Sequence, residues 1–142
     1  MPYFIKLSLE SQWLWTLSRC CLALLFFSSG LSKVLDVEAG FQEMQAAGLE
    51  PTWLFNYGSA LILLAGAYCI LFDRHIWLGA ALLSVFLTVT IFIVHTFWNM
   101  SGLQAQISLY FALEHISVIG GLIGTAIASH FRQQLKLCGV LA

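Results

Sequence analysis

Charge is the scarcest component of this chain. Six residues are Lys or Arg and seven are Asp or Glu, 9% of the 142. A soluble domain of this size carries about 25% charged residues. No basic run is present and the net charge is −1, which speaks against nucleic acid as a partner. The alternating pattern of a transmembrane strand is missing as well, because the apolar runs are continuous. Cys20, Cys21, Cys69 and Cys138 form no Cys-x-x-Cys and no metal-ligand spacing; they read as small apolar fillers. The sequence has no nucleotide, flavin or iron–sulfur motif, no repeat and no low-complexity tract. What remains is 60% hydrophobic, with a mean hydropathy of +0.88. In lipid such continuous runs satisfy their backbone only as helices. The expectation is an all-α polytopic membrane protein, one four-helix transmembrane bundle over residues 1–142.

The stretch from Ile76 to Trp98 contains no charge. At a rise of about 1.5 Å per residue it crosses a hydrocarbon core of about 30 Å. At about 100° per residue, Ser84, Thr88, Ile91, His95 and Trp98/Asn99 fall on one side, a polar stripe that ends in a histidine near one membrane face. Three more spans are expected over residues 13–31, 53–72 and 107–129. Trp13 and Trp15 suit an aromatic belt at the start of the first. Its core, Cys20 to Phe27 followed by Ser28-Ser29-Gly30, resembles a signal peptide. The tryptophan flank and the position of Arg19 inside the run favour an uncleaved span. Residues 37–47 read as a short interfacial helix ended by Gly48 and Pro51. Asp73-Arg74-His75 is a tight turn that makes spans two and three a hairpin.

Lys6, Arg74, Arg132 and Lys136 lie on one side of this arrangement, and Lys33 alone on the other. The positive-inside rule then puts both termini in the cytoplasm. Arg19 and Glu114 are the two charges well inside spans. Each costs at least about 2.5 kcal/mol at the bilayer centre if left alone. Arg19 shares a face with Ala23, Phe26, Gly30 and Lys33, which is expected to look inward. Glu114 shares a face with Ser117, Gly121, Gly124/Thr125 and Ala128, whose small residues suggest close helix packing. An Arg19–Glu114 interaction, direct or through a polar ligand, follows as an expectation. His115 lies beside Ile119 and Leu122. The outer half of the bundle thus gathers Lys33, His95, Trp98, Asn99, Glu114 and His115, with Phe26, Phe92, Trp98 and Phe111 as walls. Such a pocket suits a small planar or anionic molecule. His95 and Glu114 are the candidates for proton chemistry; Arg19, Lys33, Trp98, Asn99 and His115 are the candidates for ligand binding. His95 and His115 as axial ligands of a non-covalent haem form a lower-ranked reading.

Arg19-Cys-Cys-Leu-Ala-Leu-Leu-Phe-Phe-Ser-Ser-Gly-Leu-Ser-Lys33 resembles the first-span signature of the DoxX family: an arginine, an apolar run, then Gly-x-x-Lys. His95-Thr-Phe-Trp98-Asn-Met and Gly120-Gly121-Leu-Ile-Gly124 are similar to later parts of small members. The resemblance covers residues 14 to 130, and order and spacing carry it. It implies a multi-pass protein of the bacterial inner membrane. It also implies an association with quinone-linked oxidoreductases or with redox stress resistance. Relatives often carry an acid in the second span, and Ser59-Ala-Leu-Ile-Leu-Leu-Ala-Gly66 has none. Two readings stay open. One is a redox subunit that binds a quinone or a similar small molecule. The other is a non-enzymatic scaffold or assembly partner. Either implies the lipid bilayer and a partner protein or a second copy.

Overall fold

The computed structural model describes residues 2–140; Met1, Leu141 and Ala142, the ends of the expected 1–142 unit, lie outside the described residues. The helices are α1 (Tyr3–Glu10), α2 (Gln12–Leu35), α3 (Val37–Ala46), α4 (Thr52–Leu71), α5 (Ile76–Ile93) and α6 (Gly102–Leu137), with a 3-10 turn at Phe97–Asn99. Among the described residues there is no strand. Four segments are long and apolar enough to cross a membrane: α2, α4, α5 with its continuation to Asn99, and α6. They alternate in direction, so α1 and the end of α6 share one face, the terminal face. The α2–α4 connection, which contains α3, lies at the opposite, distal face.

Local chemistry sets the breaks. Ser11 caps α2 by accepting from the Leu14 amide at 3.2 Å. Asp36 ends α2 and begins α3, its carboxylate accepting from the Ala39 amide at 3.1 Å. Gly48, at φ 72°, closes α3 in the left-handed conformation that lets the Leu49 amide reach back to Met44 O.

In lipid, helices associate by packing rather than by release of water. The core therefore depends on close approach. Phe26, Leu63, Ile70, Leu83 and Leu122 fill it. α4 and α5 touch through glycines: a Cβ on Gly66 would overlap Leu83, and one on Gly79 would sit 2.6 Å from Cys69 Cβ. Both contacts lie in the halves nearer the 73–75 turn.

The structure corrects three expectations. The third membrane helix does not run to Trp98; α5 stops at Ile93, and Thr90 O accepts from both the Val94 and His95 amides. β-Branched Val94 and Thr96 disfavour continuation. His95 consequently leaves the Ser84–Thr88–Ile91 stripe, and the buried face of α5 is Ile76, Gly79, Ala80, Leu83 and Leu87. The face of α6 is also different. Ser108, Ala112, Leu122 and Ser129 are buried, with His115 half-buried among them, whereas Glu114, Ser117, Gly121 and Gly124 are exposed. The bulky Leu122 fills the core against α5, and that turns the small-residue face outward. Finally, Arg19 and Glu114 do not pair. Arg19 points towards the terminal face, where Asp73 stands, as a long cationic side chain snorkels to the nearer interface.

Candidate functional site

α2 and α4 pack along one another, α5 joins α4 near the hairpin turn, and α6 rides on α5 and meets α2 only sparingly. In the distal half, the α2–α4 pair and the α5–α6 pair stand apart. Between them lies a cavity of about 510 Å³, within the range of about 300–1,000 Å³ that small-molecule sites occupy. Phe26, Leu63, Phe86, Leu87 and Phe111 give it apolar walls. Some lining side chains are themselves exposed, among them Leu25, Phe55, Val89, Ile93 and Phe111. The cavity is thus open along its flank.

Two polar groups of residues bound it. At the first, Lys33 Nζ donates to Glu43 Oε2 at 2.6 Å, a short charge-assisted bond from the end of α2 to α3. The Lys33 side chain is 7% exposed and that of Glu43 55%. Asn56, fully buried on α4, donates Nδ2 to Lys33 O at 3.0 Å. Its Oδ1 has no hydrogen-bond partner among the described residues and faces Gly40, where a Cβ would overlap it. Gly40 therefore lets α3 sit directly against α4. Ser29 and Ser59 also line this end.

The second polar group is the histidine pair. The His95 and His115 rings meet edge to face, their centroids 4.9 Å apart at 88°. His95 also stacks on Phe111 at 5.4 Å and 24°. The early end of α5 carries His95 over to α6, and the buried face of α6 brings His115 to meet it. Two imidazoles that share one metal hold it between them at about 2.0–2.1 Å from each nitrogen. A macrocycle between these two rings needs a wider gap than 4.9 Å, so the pair does not fit as axial haem ligands.

Of the residues singled out from the sequence, Lys33, His95 and His115 come together on this cavity. Trp98 does not line it; it packs on Phe92 at 6.1 Å and Phe97 at 5.0 Å and is half exposed. Asn99 and Glu114 are exposed outside it. Arg19 lies near the terminal face, donating to Ile70 O and Leu71 O at 3.2 Å each and standing 3.8 Å from Asp73. The carbonyl end of α4 and Asp73 supply negative charge there. Glu43 and Asn56 were missed. Asn56 was legible as a polar residue inside the apolar run after Trp53; Glu43 was not, because only the fold of α3 against α2 brings it to Lys33.

The model of the DoxX family matches residues 14–96, from the start of α2 to the loop that carries His95. No curated protein and no solved structure gives a match. The matched stretch contains Lys33, Glu43 and His95 and all of the cavity lining except Phe111 and His115, so most of the cavity belongs to the shared part of the chain. By that match over more than half of its length, this multi-pass membrane protein belongs to the DoxX family.

Proposed function

We propose that the cavity binds a lipid-soluble molecule with a small polar ring, of the quinone class. The protein then serves as the membrane subunit of a redox system in the bacterial inner membrane. The observation that carries this reading is one cavity with apolar walls, an open flank and two polar groups in its lining, Lys33–Glu43 and His95–His115. Quinone carbonyls accept hydrogen bonds, and both a lysine ammonium and an imidazole donate them. Conversion of quinone to quinol takes two electrons and two protons. Histidine is the side chain suited to move those protons near neutral pH. The electrons come from a partner chain, since this sequence carries no motif for an electron carrier. Glu114, outside the cavity, has no place in this proton path.

The test is extraction of the protein, purified in mild detergent, for bound quinone, followed by thermal unfolding with and without a short-chain quinone. Bound quinone and a raised Tm are expected. His95→Gln is expected to keep stability within about 1 kcal/mol and to lose the quinone-dependent rise. Repeated preparations without bound quinone, together with an unchanged Tm, would defeat the reading. They would favour the second one, a scaffold for another chain, to which the exposed Glu114 and Gly124 face of α6 lends support.

A further inference from the structure

A second polar cluster lies at the terminal face between α2 and α6, away from the cavity. Trp15 is 9% exposed, and two guanidinium groups approach its ring, Arg19 Cζ at 5.3 Å and Arg132 Cζ at 5.5 Å from the centroid. Asp73 Oδ2 accepts from Trp15 Nε1 at 3.2 Å and stands 3.8 Å from Arg19. Arg132 donates to Gln12 Oε1 at 3.0 Å and has no carboxylate partner among the described residues. The Nε–H groups of Arg19 and Arg132 are both buried and meet no acceptor among the described residues. Arg19 is met by Ile70 O, Leu71 O, Thr16 Oγ1 and Asp73, so the unmatched positive charge of the cluster is that of Arg132, whose acceptor among the described residues is the neutral Gln12. Unmatched charge in such a place is costly.

From this excess the geometry points to a site for the phosphate headgroup of an anionic phospholipid, held by the accessible edge of Arg132 with Lys136 one turn further along α6. Guanidinium groups match phosphate oxygens in pairs, and basic pockets between membrane helices hold such headgroups. The surroundings fit a lipid rather than a free anion. Trp13, beside Gln12, and Leu135, within a turn of Arg132, are exposed, at 72% and 41%. They offer apolar surface to an acyl chain just where the phosphate sits at the interface. The lipid then wedges between α2 and α6 at the end remote from the cavity.

Protein purified in mild detergent is titrated with phosphatidylglycerol, with phosphatidylcholine of the same chains, or with inorganic phosphate. Native mass spectrometry and thermal unfolding are the readouts. Phosphatidylglycerol is expected to remain bound and raise Tm, and the other two to do neither. Arg132→Gln and Lys136→Gln are each expected to weaken apparent phosphatidylglycerol affinity about fivefold. Lys6→Gln removes a charge from the same face outside the cluster and is expected to leave the affinity unchanged. Lys136 is exposed and its side chain makes no hydrogen bond to the described residues, so its variant carries the test if Arg132→Gln fails to fold. An equal response to phosphatidylcholine, or equal losses from all three variants, overturns the site. A full response to inorganic phosphate overturns its assignment to a lipid.

Discussion

Arg19 has the most to lose from a poor environment, because it is 5% exposed inside an apolar helix. Ile70 O, Leu71 O and Thr16 Oγ1 accept from it, and the Asp73 carboxylate stands 3.8 Å away. Asp73 takes a left-handed conformation, φ 57°, in the turn, a region that aspartate tolerates better than most residues. Asp73→Asn keeps an acceptor for Trp15 but removes the charge facing Arg19, and is expected to cost about 1.5–3 kcal/mol. Arg19→Leu combined with Asp73→Asn is expected to be less damaging than the sum, with a coupling above about 0.5 kcal/mol. Arg19→Leu and Glu114→Leu should be additive. Reversible unfolding in mixed micelles measures both cycles, and coupling between 19 and 114 in place of 19 and 73 would reject this arrangement. The sequence showed that Arg19 needed an acceptor but not which one, since backbone carbonyls at a helix end leave no mark in side-chain identity.

At the scale of helices, glycine position separates contact from open surface. Gly79 lets α5 lie on Cys69 of α4, while Gly120 and Gly124 on α6 face open space. Gly79→Ala is expected to destabilise by about 1–3 kcal/mol, as overpacking does. Gly124→Ala is expected to be neutral or to stabilise by up to about 1 kcal/mol through helix propensity. The same unfolding assay compares them; a loss at Gly124 instead would mean that another chain packs there. The inward face of α2 was readable because Arg19, Ala23, Phe26, Gly30 and Lys33 repeat at helical spacing. That of α6 was not. Its two faces differ in side-chain volume more than in polarity, and small residues serve equally well in a tight contact and on a surface. The end of α5 was hidden for a related reason: Val94 and Thr96 only weaken a helix, and it is the contact of His95 with Phe111 and His115 that fixes where the chain turns away.

For the whole molecule, the four long helices put α1 and the end of α6 on one side, and the charge count proposes which side. Alkaline phosphatase fused after Ala142 is expected to be inactive, and fused within residues 38–50 to be active. The expected pattern would put the cavity in the outer leaflet, and the reverse pattern would put it in the inner one. The open flank of that cavity has a further consequence. A ligand that arrives sideways through the bilayer is dissolved in lipid before it binds, so its mole fraction in the membrane governs occupancy. Adding lipid at fixed amounts of protein and ligand dilutes the ligand and empties the site, although the aqueous volume has not changed. A compound with the right ring but no greasy tail partitions into water and looks like a poor binder. Dissociation constants quoted per litre of buffer would therefore differ between detergents and vesicles without any change in the protein.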